Sequence, residues 1–222
     1  MQGIVDTVNN PVIVSDPPFN VGYHYNEYKD NLSDSEYISR MKSIFSLCPA
    51  VIIHYPETLY KISIAMNKAP VKVVSWCYNA NTPKQHRDIA FFDIKPDFKQ
   101  LSQPYKNPND KRIAQRINSG KQCALYDWWQ ISQVKNVSRE KTAHPCQMPL
   151  QVMNNIIGIL PKDITVIDPF MGAGTTGVAC NENGIDFVGI EIDKRYFDIS
   201  KERLAQKSLF DSEFKEASDG KK

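Results

Sequence analysis

The sequence predicts an α/β fold with a mainly parallel sheet. Short apolar runs alternate along the chain with segments whose apolar residues follow helical spacing, and this alternation is typical of parallel sheets. The chain has 222 residues, of which 41% are hydrophobic and 23% are charged, so it is large and apolar enough to bury a substantial core. We therefore expect one domain over residues 1–222.

The first half of the chain contains three strand-like runs and two helical segments. The predicted strands cover residues 12–14, 50–54 and 71–76, and the predicted helices cover residues 33–47 and 56–67. Ser33 is followed three residues later by Glu36, which is the spacing of a capping box at a helix start. The first strand ends abruptly at Asp16-Pro17-Pro18, which predicts that it opens into a rigid loop.

The middle of the chain, residues 79–142, interrupts this alternation. It is rich in proline, asparagine and glutamine, which predicts an insertion packed on the sheet. It also carries a basic cluster beside a single acid, Asp110. The basic residues are Lys106, Lys111, Arg112, Arg116 and Lys121. Such clustering is typical of phosphate contacts with nucleic acid, although a merely solvated basic face has the same composition.

The α/β alternation returns after residue 149. We predict helices over residues 152–160 and 195–204, a helix that starts at Thr175, and strands over residues 164–167 and 187–190. The last strand ends at Glu191. Residues 210–222 are polar and charged, so we expect a frayed tail there.

A glycine-rich loop joins the strand of residues 164–167 to the helix that follows it. Gly172-x-Gly174-x-x-Gly177 lets the backbone turn tightly against a ligand, and an acid at the end of the next strand, here Glu191, can accept hydrogen bonds from ribose hydroxyls. This pattern suits either a nicotinamide dinucleotide or S-adenosylmethionine. Asp168 before the turn would repel a pyrophosphate and attract the cationic S-adenosylmethionine, so it favours the methyl donor.

Asp16-Pro17-Pro18-Phe19 suits the methylation of an exocyclic amine. Such an amine is a poor nucleophile until acceptors hold its two hydrogens and aim its lone pair. The Asp16 carboxylate and the Pro17 carbonyl supply two acceptors, and consecutive prolines fix the direction of that carbonyl. Phe19 offers a flat face for a base. The plain alternative is a proline-rich turn after a strand.

Together the two loops resemble those of the amino-methylating DNA methyltransferases. That family has the tetrapeptide Asp/Asn/Ser-Pro-Pro-aromatic and the loop Phe-x-Gly-x-Gly, which here is Phe170-Met-Gly172-Ala-Gly174. The tetrapeptide precedes the cofactor loop, as in the permuted β group. The stretch of residues 141–149 is similar to the segment before the cofactor strand in that group. The resemblance implies a Rossmann-like S-adenosylmethionine-dependent methyltransferase fold with circularly permuted motif order.

The resemblance also implies roles for individual residues. The tetrapeptide Asp16, Pro17, Pro18 and Phe19 would be catalytic. The residues expected to bind the cofactor are His144, Asp168, Phe170, Gly172, Gly174, Thr175 and Glu191. Asp168 would approach the methionine end of S-adenosylmethionine, Glu191 would bind its ribose, and His144 would close over its methionine part. The middle region, residues 79–142, would be the target-recognition segment.

The resemblance implies methyl transfer to the N6 amine of adenine in double-stranded DNA, because Asp rather than Ser heads the tetrapeptide. The N4 amine of cytosine remains an alternative. An RNA or protein amine methyltransferase is disfavoured by the motif order, and a nicotinamide-dependent oxidoreductase leaves Asp16-Pro-Pro-Phe unexplained. Only fifteen residues precede Asp16, without the Gly-Asp that is usual in the family. This favours a further alternative, a DNA-binding relative with impaired catalysis.

Composition excludes several other classes. The formal net charge is only +2, so DNA binding has to come from local clustering. The five cysteines are scattered without a Cys-x-x-Cys pair, which indicates reduced thiols and no metal site. We expect neither a membrane span nor a secretory signal, and therefore a cytoplasmic protein. Monomer and homodimer both remain open.

Overall fold

The structure is a computed structural model that describes residues 1–25 and 27–205. Its strands are β1 (Pro11–Ser15), β2 (Ala50–His54), β3 (Lys72–Cys77), β4 (His86–Phe92), β5 (Ser102–Gln103), β6 (Cys123–Ala124), β7 (Trp128–Gln130), β8 (Thr165–Asp168) and β9 (Asp186–Gly189). Its α-helices are α1 (Gln2–Val5), α2 (Asp34–Phe45), α3 (Pro56–Met66), α4 (Lys111–Asn118), α5 (Leu150–Gly158) and α6 (Thr175–Asn183). A 3-10 turn covers Phe98–Gln100, and residues 194–205 are helical. The tail predicted at 210–222 lies outside the described residues.

Seven of the described strands form one sheet in the order β7-β3-β4-β2-β1-β8-β9. Strand β4 is antiparallel to both of its neighbours, β2 and β3. The other four pairings in this sheet are parallel. The prediction of an α/β fold with a mainly parallel sheet is therefore confirmed.

The sheet is covered on both faces, which is why its central strands are almost continuously apolar. All five residues of β2 are buried, and so are all four residues of β8. Alternate residues of β1 contribute to two separate cores. Val12 and Val14 pack with the α5 residues on one face, whereas Ile13 packs with the apolar residues of α2 and α3 on the other. This division follows from the period of two along a strand.

The helices begin and end where local chemistry predicts. The capping box is present at α2, since the Ser33 side chain accepts from the Glu36 amide and the Glu36 side chain accepts from the Ser33 amide. Helix α3 starts with Pro56, which has no amide hydrogen to leave unpaired, and ends at Asn67 in a left-handed conformation. Among the described residues, no helix is long and apolar enough to span a membrane.

The prediction that residues 79–142 form an insertion was wrong in its bounds. Strands β4 and β7 lie inside that interval, yet both belong to the main sheet. Strand β4 escaped prediction because it begins with the polar residues His86, Arg87 and Asp88 and becomes apolar only afterwards. The parts of the interval that lie outside the main sheet are residues 79–85, 93–127 and 131–142, and the longest of them, residues 93–127, carries α4 and the small β5–β6 pair.

Strands β1 and β8 are neighbours although residues 16–164 lie between them in the sequence. They pair in parallel, with Ile13 opposite Ile167. Parallel neighbours end at the same edge of a sheet, so the loops that follow them leave the sheet side by side. A hydrogen bond of 2.7 Å from the Ser15 hydroxyl to Asp168 Oδ1 ties the two strand ends together. This edge of the sheet carries the site described next.

Candidate active site

A cavity of about 670 Å³ opens at the carboxyl ends of β1 and β8. Its volume is typical of a pocket for a ligand the size of a nucleoside derivative. The proline turn after β1 and the glycine loop after β8 both line it. The predicted site residues among its lining are Asp16, Pro17, Pro18, Phe19, His144, Asp168, Phe170, Gly172, Thr175 and Glu191. Folding therefore brings two loops that lie far apart in the sequence into one cavity.

The Asp16 carboxylate is held at the base of this cavity. Its side chain is 16% exposed, and its Oδ1 atom is buried without a hydrogen-bond partner among the described residues. Burial raises the pKa of Asp16 to about 7, the neighbouring Arg87 guanidinium opposes that rise, and the charge of Asp168 adds to it. A carboxyl group with this pKa changes its charge close to neutral pH.

Tyr37 of α2 and His54 of β2 support the proline turn through a chain of hydrogen bonds. The Tyr37 hydroxyl donates to the Pro18 carbonyl over 2.7 Å and lies 2.9 Å from Nε2 of His54. The Tyr55 amide donates to Nδ1 of His54, so the ring proton sits on Nε2 and points at Tyr37. Burial lowers the pKa of His54 to about 3, which keeps the ring neutral. The Pro18 carbonyl is thus engaged within the protein, whereas the role of the Pro17 carbonyl as a second acceptor for a substrate stays a prediction.

Phe19 lines the cavity but is not an isolated flat face. Its ring centroid lies 4.4 Å from that of His54 and 5.0 Å from that of Tyr55. The Arg87 guanidinium carbon lies 4.4 Å from the same centroid. Stacking of a base on Phe19 remains a prediction, and the structure adds Arg87 to the surroundings of that ring.

Asp168 links the two loops through three hydrogen bonds. Oδ1 accepts from the Ser15 hydroxyl and from the Phe170 amide over 3.1 Å, and Oδ2 accepts from the Thr176 hydroxyl over 2.6 Å. The side chain is buried, and burial raises its pKa. Sequence reasoning predicted a contact with the methionine end of the cofactor, and the structure gives Asp168 an additional role in shaping the loop.

The glycine loop turns tightly between β8 and α6. Gly172 and Gly174 have φ angles of +53° and +75°, a region that residues with a Cβ rarely adopt. A Cβ on Gly172 would lie 3.0 Å from Nε2 of His144, and one on Gly174 would lie 2.8 Å from Cβ of Ser200. Both glycines are therefore required by backbone conformation and by close neighbours.

Glu191 reaches back from the end of β9 to this loop. Its Oε2 accepts from the Gly172 amide over 2.8 Å, and its Oε1 accepts from the Asp193 amide over 2.9 Å. Each carboxylate oxygen keeps a further lone pair, so Glu191 can still accept hydrogen bonds from two adjacent ribose hydroxyls. The sequence analysis predicted this ribose contact, and the geometry is compatible with it.

His144 covers the loop from the opposite side of the cavity. Its ring centroid lies 4.4 Å from that of Tyr196, and its Nδ1 atom is buried without a hydrogen-bond partner among the described residues. Burial, reinforced by Lys141, lowers the pKa of His144 to about 4, so the ring is neutral at physiological pH. His144 also lines the cavity, so its unpaired nitrogen is a candidate contact for a ligand.

The basic cluster of the middle region is fully exposed and stays outside this cavity. Helix α4 carries Lys111, Arg112 and Arg116 and is capped by Asp110. Lys106 lies over the rings of Tyr126 and Trp128, at 4.8 and 4.4 Å from their centroids, and Lys121 is also exposed. Trp129 is buried, whereas Trp128 is 43% exposed beside Lys106.

Sequence reasoning missed three residues that the structure places at the turn, namely Tyr37, His54 and Arg87. The pattern of the sequence gives no signal for them, because they come from α2, β2 and the unpredicted β4 and meet only in the folded chain. It also missed Asp30, a buried carboxylate that accepts from the amides of Asn20, Val21 and Tyr23 and so fixes the conformation of the loop after the proline turn. That role requires knowledge of the loop conformation.

The fold and the paired loops define the class of S-adenosylmethionine-dependent methyltransferases, and known structures share the architecture. The cytosine-N4-specific PvuII DNA methyltransferase superposes with a TM-score of 0.66 at 16% sequence identity, over 91% of this chain and 83% of that one. The M1.HpyAVI–SAM complex superposes with a TM-score of 0.57 at 22% identity, over 91% of this chain and 92% of that one.

Sequence comparison identifies the family. The DNA methylase model for N6 and N4 enzymes matches residues 59–202. The Type II methyltransferase M.HpaI of Haemophilus parainfluenzae is 26% identical over 91% of this chain and 68% of its own length. M2.DpnII of Streptococcus pneumoniae is 37% identical over 67% of this chain and 57% of its own length. The chain belongs to the N6/N4 DNA methylase family and is an S-adenosylmethionine-dependent DNA methyltransferase.

The cavity residues fit this cofactor. The left-handed glycines at 172 and 174 let the loop turn tightly, and the unpaired Nδ1 of His144 offers a polar contact beside that loop. Glu191 presents two carboxylate oxygens on the same side. These residues would hold S-adenosylmethionine, which would supply a methyl group in the cavity that Asp16 also lines.

Proposed function

We propose that the protein methylates the N6 amine of adenine in double-stranded DNA. One observation carries the proposal: the Asp16-Pro-Pro-Phe turn and the glycine loop line the same cavity and are joined by the Ser15–Asp168 hydrogen bond. An amine held by the turn therefore faces the loop that holds the cofactor.

The residues of the turn divide the work on the amine. The Asp16 carboxylate accepts one amine hydrogen and the Pro17 carbonyl accepts the other, which directs the lone pair into the cavity. When bound, S-adenosylmethionine supplies a methyl group on a positively charged sulfur. The pKa of Asp16, about 7, also suits it to take up the proton that the amine loses.

A base within duplex DNA cannot reach Asp16 while it is stacked. It has to be flipped into the cavity, which costs a few kcal/mol. The exposed basic cluster on and around α4 supports a role in holding the phosphates on either side of such a base, because it is the densest group of cations in the middle region. This assigns target recognition to the vicinity of residues 93–127.

The second candidate substrate is the N4 amine of cytosine. The fold is shared with the cytosine-N4-specific PvuII DNA methyltransferase, and the two acceptors of the turn suit either amine. The preference for adenine rests on Asp at the first position of the tetrapeptide.

The test is incubation with labelled S-adenosylmethionine and unmethylated genomic DNA, followed by nucleoside analysis. We expect label in N6-methyldeoxyadenosine. Label in N4-methylcytosine would instead establish the second candidate. Asp16→Ala is expected to abolish transfer and to leave cofactor binding nearly unchanged, whereas Asp34→Ala, which removes an exposed carboxylate, should remain active. Transfer by Asp16→Ala would refute the catalytic role.

A further inference from the structure

Arg87 is the cation nearest to the catalytic carboxylate, and no sequence motif accounts for it. It lies on β4 opposite Trp76 of β3, and its side chain is 15% exposed. Its NH1 atom lies 3.6 Å from Oδ1 of Asp16 and donates to Sδ of Met148. Its position between two paired strands fixes where the side chain starts.

Aromatic rings surround the guanidinium group. Its central carbon lies 4.4 Å from the ring centroid of Phe19, 5.2 Å from that of Trp76, and 5.9 Å from those of Tyr55 and Tyr78. A guanidinium stays charged at all physiological pH values, and ring faces stabilise that charge. The aromatic enclosure thus holds a permanent positive charge beside Asp16.

The two facing groups are otherwise poorly paired. Asp16 Oδ1 and Arg87 Nε are both buried without a hydrogen-bond partner among the described residues. Oδ1 faces Arg87, so Oδ2 is the oxygen left to accept a hydrogen from the target amine. A proton on Asp16 would sit on Oδ2, because Oδ1 faces a cation, and would turn that oxygen from an acceptor into a donor.

We propose that Arg87 is a positioning residue that favours the ionised form of Asp16 and turns its Oδ2 atom toward the target amine. This inference rests on the proposed catalytic role of Asp16. Arg87 belongs to the antiparallel strand β4, so the site then includes a residue outside the proline turn and the glycine loop. Arg87 acts on the amine through Asp16.

Among the described residues that face Asp16, Arg87 is the one that carries a positive charge. Asp168 opposes ionisation, being a second buried carboxylate. Tyr25 and Cys146 approach from the loop and from the segment before α5, and burial raises the pKa of both, so they remain neutral. Tyr37 and His54 are also neutral at pH 7, since burial raises the pKa of Tyr37 and lowers that of His54.

The experiment is the pH dependence of kcat for the wild-type protein and for three variants at saturating cofactor and DNA. Arg87→Gln and Arg87→Met remove the charge, and Arg87→Lys retains one. An adjacent opposite charge lowers a carboxyl pKa by about 1–3 units. We therefore expect the acidic limb to move up by at least ~1 unit in the two neutral variants and to stay near its wild-type position in Arg87→Lys. Activity lost at pH 7 should be largely regained above pH 9.

Lys72→Gln is the matched control. It removes one positive charge from β3, at the opposite edge of the sheet, where Lys72 pairs with Asp127. Its pH profile should coincide with that of the wild type. Thermal melting and S-adenosylhomocysteine binding show that each variant is folded, and Arg87→Met provides the test if Arg87→Gln does not fold.

An equal loss of kcat at every pH in a folded neutral variant would overturn the proposal, as would an unshifted acidic limb. The failure of the proposed function looks different, because the wild-type protein would then transfer no methyl group at any pH. In that case, carbon-13 NMR of labelled aspartate, assigned with Asp16→Asn, still reports the Asp16 titration. A midpoint that does not rise in Arg87→Gln would refute the inference by itself.

Discussion

Tyr37→Phe tests whether the chain of hydrogen bonds behind the proline turn supports both stability and catalysis. The substitution removes one oxygen and leaves the ring in the core. It thereby deletes the hydrogen bond to the Pro18 carbonyl and the one from Nε2 of His54. His54 is fully buried, so its ring N–H is left without a partner or a route to water.

The magnitude follows from these two groups. An unsatisfied buried donor costs about 1–3 kcal/mol, and the Pro18 carbonyl, which is only half-buried, adds less, for a total of about 2–3 kcal/mol. In a domain of this size, 1 kcal/mol corresponds to roughly 2–4 °C in Tm. We therefore expect Tm to fall by roughly 4–12 °C.

Catalysis should fall separately from cofactor affinity. Tyr37 does not line the cavity, so the Kd of S-adenosylhomocysteine should be unchanged. Release of the Pro18 carbonyl loosens the neighbouring Pro17 carbonyl, so kcat should drop by about tenfold or more, as expected when a reacting group is misplaced. Calorimetry measures Tm and the Kd of S-adenosylhomocysteine, and urea unfolding measures the free energy of unfolding. Methyl transfer at saturating cofactor measures kcat.

Tyr60→Phe is the matched control for this prediction. Tyr60 lies on α3 and is 66% exposed, so loss of its hydroxyl should change stability by less than about 0.5 kcal/mol. If Tyr37→Phe were as stable and as active as Tyr60→Phe, the proposed support of the turn would be wrong.

Two further predictions concern the cofactor and DNA. Glu191→Gln should weaken S-adenosylhomocysteine binding by roughly 10–100-fold in calorimetry, because charged hydrogen bonds contribute about 1.5–3 kcal/mol. Its control is Glu57→Gln, which changes an exposed side chain. Equal affinities of the two variants for S-adenosylhomocysteine would exclude the ribose contact. Neutralising Lys111, Arg112 and Arg116 together should reduce the slope of log affinity for DNA against log salt by about 3, measured by fluorescence anisotropy. An unchanged slope would show that α4 does not contact phosphates.

The fold was predictable wherever buried strands were uniformly apolar. Residues 50–54 were predicted with the bounds that β2 has, because both faces of that strand are covered and its first four residues are all apolar. Strand β4 was not predicted, since its first three residues are polar. Those residues stand at the site edge of the sheet, where Arg87 lies beside Asp16.

The lining of the site was predictable where a chemical requirement appears as a short sequence pattern. The turn that begins at Asp16 and the loop from Asp168 to Ala173 both line the cavity, whereas Gly174 does not. Their supporting contacts were not predictable in the same way. Tyr37 and His54 are 17 residues apart and belong to different elements, so no spacing along the chain relates them.

The sequence alone determined the class of fold, the two chemical loops and their order, because strand periodicity, proline rigidity and glycine freedom are local properties. The tertiary structure decided how these parts work together. The parallel pairing of β1 with β8 places the turn beside the glycine loop, and β4 runs antiparallel between β2 and β3 to bring Arg87 to the same edge. Burial then sets the protonation of Asp16 and His54, because desolvation depends on everything that packs around a group, not on its neighbours in sequence.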